Sequence, residues 1–287
     1  MHKRAIALGL GLGVSLLAVC ACAAENRKES RLDIAPGGTI SVVNNGGTVN
    51  LKAAPGRQVL IAYTTHSDKV EVDQTVTEDK RRIDLRSHVL HDQKPTIDES
   101  KVDYDISVPA GVAVSVSTAT APITADDLSG DLTLSSDAGQ ITVHNLTHSH
   151  LRIRGVGAPV TLNNVSGGAV DVTANNGTVE MVNVSGPKVN VGTSSGNISY
   201  QGDCSGGGNY TLTTHTGNID VSLPQTASVD LTARSVTGSV ENDFPLEKKA
   251  HTPFVPKAGS SFAGTSNSGS SSVELQSFSG RIRVKKQ

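Results

Sequence analysis

Asp220 and Glu241 are the two carboxylates whose placement invites chemistry. Each follows the start of an apolar strand, in an outward column that reads Thr124, Thr142, Thr161, Glu180, Ser199, Asp220, Glu241. If the column is continuous, the two acids sit on adjacent strands, ~5 Å apart. Carboxylates at that separation can serve as acid and nucleophile in retaining glycoside cleavage, or join other oxygens around Ca²⁺. Two features count against this. The chain has no Trp to stack a sugar, and no basic residue enters the column until Arg283. On a convex solvated face such a pair is simply screened.

Other reactive side chains read as structural. His144, His148 and His150 in "HNLTHSH" offer imidazoles for Zn²⁺ or Cu²⁺. His144 and His150 lie near different ends of a turn, however, and no Cys or carboxylate stands at clear ligand spacing. Cys204 is a candidate nucleophile, yet it takes the register position of Leu128, Leu146, Val165 and Val184, which points inward. There it behaves as a small hydrophobe. Asp103 and Asp105 share the outward face of one strand. Arg152 and Asp171 fall in one outward column on neighbouring coils, where an ion pair worth under ~1 kcal/mol is expected. The sequons at Asn145, Asn164, Asn183, Asn197 and Asn209 come from the repeat itself and imply glycosylation only in a eukaryotic source. No P-loop, nucleophile elbow, CxxC pair or HExxH occurs. We therefore assign no catalytic residue, no metal ligand and no cofactor.

The elements that carry these residues repeat. Strand pairs begin at Val114, Leu132, Leu151, Val170, Val189, Tyr210 and Val229, in steps of 18, 19, 19, 19, 21 and 19. Second strands begin at Ile123, Ile141, Val160, Val179, Ile198, Ile219 and Val240. Alternation with period two marks strands with one inward face, and a fixed period near nineteen marks stacked supersecondary units. Gly139, Gly177, Gly196, Gly217 and Gly238 precede the second strands, where a bend with positive φ would favour Gly. Ordinary hairpins in a sandwich are the alternative, since Asn176-Gly177 is a good type I′ turn. The third apolar position recurring in register favours the solenoid, because hairpins do not require it.

Composition agrees. Aromatics are 3% and Trp is absent, so the core must be Val, Ile and Leu, while 29 Gly suit many short turns. From 109 to 244 there are four basic and eleven acidic residues, a net of −7; from 245 to 287, seven and two, a net of +5. An acidic body with few aromatics is a poor nucleic-acid binder, and the terminal "RIRVKK" reads as a solvated strand. Met1 to Arg4 is a basic leader and Ala5 to Val19 an apolar run too short to span comfortably. Ala21-Cys22-Ala23 resembles a cleavage site. This implies export to the periplasm or cell surface, with no transmembrane segment in the mature chain. A lipid anchor through Cys22 or Cys20 is the alternative. If cleavage removes both, Cys204 is the remaining cysteine and cannot form an intrachain disulfide.

The chain thus divides into a signal peptide (1–23), a β-rich N-terminal cap (24–108), β-solenoid repeats (109–244), a Gly/Ser-rich excursion (245–270) and a closing coil (271–287). The fold class is all-β, a β-solenoid (parallel β-helix-like) of about 18–21-residue coils. The signal peptide, "DYDISVPAGVAVSVSTATAPITADDLSGDLTLSSDAGQITV" and "VELQSFSGRIRV" resemble the bacterial exported "putative adhesin" family, a domain-of-unknown-function family. The resemblance spans nearly all of the mature chain and is architectural. It implies a β-solenoid envelope protein and carries over no catalytic residue.

Three functions follow as expectations. The first is a non-enzymatic envelope interaction protein, adhesin-like, whose polar outward faces bind a glycan or an envelope protein. The second is a carbohydrate-active enzyme on a β-helix using Asp220 and Glu241. The third is a purely structural spacer. The sequence leaves the oligomeric state open.

Overall fold

The computed structural model describes residues 26–248 and 257–287. The leader, Cys20, Cys22 and part of the Gly/Ser-rich excursion lie outside the described residues. All regular elements described are strands. The N-terminal third holds β1 (Asn26–Asp33), β2 (Thr39–Asn44), β3 (Gly47–Ala54), β4 (Gln58–Thr65), β5 (Val70–Val76), β6 (Arg82–Val89) and β7 (Val102–Pro109). Strands then come in pairs, one coil each: β8 (Ala113–Thr118) with β9 (Ile123–Asp126), β10 (Leu132–Ser136) with β11 (Ile141–Thr147), β12 (Leu151–Gly155) with β13 (Val160–Ser166), and β14 (Val170–Ala174) with β15 (Val179–Val184). The series continues with β16 (Lys188–Thr193) and β17 (Ile198–Gln201), β18 (Asn209–Thr214) and β19 (Ile219–Leu223), then β20 (Val229–Ser235) and β21 (Val240–Asn242). Last come β22 (Glu247–Lys248), β23 (Ser261–Ser266), β24 (Ser271–Ser277) and β25 (Ile282–Lys286).

Two long, mostly parallel sheets face each other. One is ordered β1-β4-β7-β3-β9-β11-β13-β15-β17-β19-β25-β21, the other β22-β23-β20-β24-β18-β16-β14-β12-β10-β8-β2-β6-β5. The protein is an all-β solenoid. Leu132, Leu151, Val170, Val189 and Tyr210 stack in register on one sheet, as do Ile141, Val160, Val179, Ile198 and Ile219 on the other. Their inward side chains form one core. All four Tyr are buried in it, with Tyr200 and Tyr210 meeting edge to face at 5.9 Å. Burial of that aliphatic surface stabilises each coil only against its neighbours, so no coil stands alone.

Both ends depart from sequence order. The pair β2–β3 lies between β8–β9 and β6–β7, and the pair β24–β25 lies between β18–β19 and β20–β21. The region expected as a cap therefore splits. Two of its strand pairs, β2–β3 and β6–β7, stack in parallel as coils, while β1, β4 and β5 close the end in antiparallel fashion. The nineteen-residue period misses these coils because β4 and β5 intervene in the chain. The edge strand β1, "NRKESRLD", is largely exposed and charged, which discourages pairing with another molecule. At the other end the expected closing coil is interior, and β23 covers β20 instead. The terminal basic strand is accordingly a central strand, flanked by β19 and β21.

Two local expectations change. Leu231, not Val229, shares the register of Val273 and Tyr210; Ala233 is the next inward residue, small enough to hide the pattern. The column of glycines before the second strands does not have positive φ. Gly is required there because coils approach closely: a β-carbon on Gly196 would strike the carbonyl oxygen of Gly177, and one on Gly217 that of Gly196.

Candidate functional site

The proposed carboxylate pair does not form. Insertion of β25 makes Arg283 the neighbour of both Asp220 and Glu241, so the acids stand two strand spacings apart, ~9.6 Å. Arg283 Nε lies 3.6 Å from Glu241 Oε2 and its Nη2 lies 3.7 Å from Asp243 Oδ2, while Arg281 Nη2 lies 3.9 Å from Asp220 Oδ1. The basic end of the chain thus neutralises acids of the body. This arrangement is an ion network across three strands, and its backbone spacing is well beyond the ~5 Å that a nucleophile and an acid need for retaining cleavage.

The other sequence candidates are dispersed. His144 lies within β11, exposed His148 follows it, and exposed His150 precedes β12, where its Nδ1 is 3.2 Å from Asp131 Oδ1. Among the described residues no three His, Cys, Asp or Glu side chains gather as a metal site. Asp103 accepts hydrogen bonds from Thr48 Oγ1 at 2.9 Å and pairs with His66 Nε2 at 2.7 Å; Asp105 accepts one from Asn50 Nδ2 at 3.1 Å. Arg152 and Asp171 are register partners with Nε and Oδ2 4.0 Å apart. Cys204 is buried, and burial pushes its thiol up to about 12. Such a thiol carries almost no thiolate near neutral pH, so it is a poor nucleophile. The hydroxyl of Tyr200 donates to Val184 O at 3.0 Å and accepts the Cys204 N–H at 3.1 Å, fixing the turn there.

Sequence reasoning saw Asn145, Asn164 and Asn183 only as sequons. They are a ladder. Each has φ of +53° to +55°. Asn164 Nδ2 donates to Asn145 Oδ1 at 3.1 Å, and Asn183 Nδ2 donates to Asn164 Oδ1 at 3.2 Å. Their recurrence one residue before an inward Leu or Val was the available signal.

A groove was missed altogether. It crosses β16, β18, β24 and β20 and has a volume of about 410 Å³. Its floor is the end of three of these strands, Thr193 of β16, Thr214 of β18 and Ser277 of β24. These hydroxyls are held by the corners, with Thr193 Oγ1 donating to Gly196 O at 2.7 Å and Ser277 Oγ accepting the Gly280 N–H at 2.8 Å. One wall is the outward face of the sheet, Thr213, Gln276 and Arg234, which are mutual register partners. The other wall is the corner: His215, Phe278 and Val236. The His215 and Phe278 rings stack with centroids 4.8 Å apart and 15° between planes. Phe278 is 47% and Val236 54% exposed, in a chain that buries every Tyr. The groove depends on the inserted strand. In chain order His215 would neighbour Val236, whereas β24 places Phe278 between them. Among the described residues no carboxylate and no Cys line the groove.

The sequence profile described as Toastrack DUF4097 matches residues 38–285. Two solved structures are similar over most of the chain. One is described as a "putative cell adhesion protein" from Clostridium sporogenes, at 13% identity and a TM-score of 0.29, covering 91% of this chain and 100% of that one. The other is described as a "putative adhesin" from Parabacteroides merdae, at 11% identity and a TM-score of 0.32, covering 91% and 96%. No curated protein sequence matches. No helix among the described residues is long and apolar enough to cross a membrane.

Proposed function

The chain belongs to the Toastrack DUF4097 family, and we propose that it works as a non-enzymatic, exported interaction protein of the cell envelope, adhesin-like, binding a glycan or an envelope protein. The observation that carries this reading is the groove over β16, β18, β24 and β20: side chains suited to binding, set on paired parallel strands, with no acid or thiol among the described residues of the lining. A site on regular elements holds its geometry without a ligand, so little ordering cost is incurred on binding. The leader-like first residues support export, with the periplasm or cell surface as destination and lipidation at Cys22 or Cys20 as the alternative form.

The test is binding of the mature chain to a glycan array and to detergent-solubilised envelope proteins, beside an Asp220→Asn/Glu241→Gln double variant. Saturable binding is expected, equal in both proteins, with no product released from any glycan. Hydrolysis that the double variant abolishes would reverse the non-enzymatic assignment. Absence of binding to both glycans and envelope proteins would leave a structural spacer.

A further inference from the structure

We infer that the groove between Arg234 and Phe278 is a saccharide subsite selective for a sugar bearing a carboxylate; this rests on the interaction reading above. The two walls differ in chemistry. The corner wall offers a half-exposed phenyl ring backed by His215, with Val236 beside it. The sheet wall offers Thr213, Gln276 and Arg234, three exposed hydrogen-bonding side chains at successive strand spacings. A pyranose has the same two-sidedness: a C–H face that packs on an aromatic ring and a rim of hydroxyls that needs donors and acceptors.

Length and direction agree. The groove runs along the solenoid axis over four strands, ~14 Å from first to last, so it fits a short linear oligosaccharide rather than a single small molecule.

Arg234 selects the charge. Among the described residues it makes no ion pair and no side-chain hydrogen bond, unlike Arg152, Arg281 and Arg283, each of which has an acid within 4.0 Å. No carboxylate among the described residues lines the groove to satisfy it. A guanidinium presents a planar fork of donors matched to a carboxylate. An extended peptide is disfavoured, because β24 is paired on both sides and offers no free backbone edge. A polyanionic nucleic acid is disfavoured by a single Arg in the groove of a chain of net −2.

The experiment uses the mature chain and a panel of uronic-acid trisaccharides, each beside its carboxyl-reduced counterpart, with affinities from isothermal titration at low and high salt. Variants are Arg234→Gln, Phe278→Ala and, as a control outside the groove lining on the same outward sheet face, two strands beyond β16, Arg152→Gln; thermal unfolding confirms that each folds. At least one acidic trisaccharide should bind about tenfold or more tightly than its reduced form, the worth of a charge-assisted hydrogen bond. Arg234→Gln should erase that preference, Phe278→Ala should weaken both forms, and Arg152→Gln should change neither. Equal binding of acidic and reduced sugars, or a preference that survives Arg234→Gln, overturns the inference. If the chain binds other glycans or an envelope protein but none of the acidic trisaccharides, the inference falls and the interaction reading stands. If it binds nothing, both fall.

Discussion

Asn164 shows how much a single residue contributes to stacking. Its backbone is left-handed at φ +55°, a conformation that costs most L-residues roughly 1–2 kcal/mol and that Asn tolerates better. Its amide also donates to Asn145 and accepts from Asn183, so it ties three coils together at the surface. Replacement by Ala removes both bonds and adds the full backbone penalty. Asn164→Ala should lower unfolding free energy by about 1–3 kcal/mol. Asn164→Gly loses the same bonds but relieves the backbone, so its urea midpoint should lie between those of Ala and the natural protein. A Gly variant no more stable than Ala would show that backbone conformation is not what selects Asn. Cys204 adopts the same conformation at φ +52° with a buried side chain, and there the Tyr200 hydroxyl takes over the role of fixing the turn.

At the level of the strand pair, the corner decides. Where the first strand turns into the second, Thr214, Ser277 and Ser235 each accept the N–H of the glycine three residues on, at 3.0, 2.8 and 3.1 Å. The same hydroxyls donate to a carbonyl of the adjoining coil: Gly196, Gly217 and Gly280. One oxygen thus closes its own corner and fastens it to the next. The glycines permit this closeness. Gly217→Ala would push a methyl into the Gly196 carbonyl and toward Thr214 Oγ1, and should destabilise by about 1–3 kcal/mol through overpacking. Urea titration checks it; Gly192→Ala, whose β-carbon would meet nothing within 4 Å, is the matched control. These elements were partly legible beforehand. Val170, Val189 and Ile198 announce their strands by alternation, and Gly177 and Gly196 announce the corner by recurrence. The reason for the glycines was not legible, because the atom a β-carbon would strike belongs to the neighbouring coil. Nor was the register of β20, since Ala233 does the work of a larger residue where Val229 looks the better match.

For the molecule as a whole, neither terminal coil is an end of the stack. Repeat spacing places Val240 directly over Ile219 and so sets Asp220 beside Glu241; only three-dimensional pairing shows Ile282 and Arg283 between them. The groove is hidden from sequence for the same reason, since Phe278 enters it from a strand that follows β20 by nearly forty residues. Insertion also has an energetic consequence. Solenoid stability is close to a sum of coil and neighbour terms, and β20–β21 contacts β18–β19 chiefly through the inserted coil. A chain ending at residue 270 loses the parallel partner of β20 and β21, loses Arg283, and leaves Asp220, Glu241 and Asp243 without their cations. Direct re-docking of β20–β21 onto β18–β19 would bring Asp220 and Glu241 face to face, which like-charge repulsion opposes. Hydrogen exchange should therefore find the amides of β8 to β17 as protected in the truncated chain as in the full one, while those of β20, β21 and β23 exchange freely. Adding Asp220→Asn and Glu241→Gln to the truncated chain should restore part of the protection in β20 by making re-docking tolerable. Full protection of β20 in the truncated chain without those changes would mean that the inserted coil does not hold the C-terminal end in place.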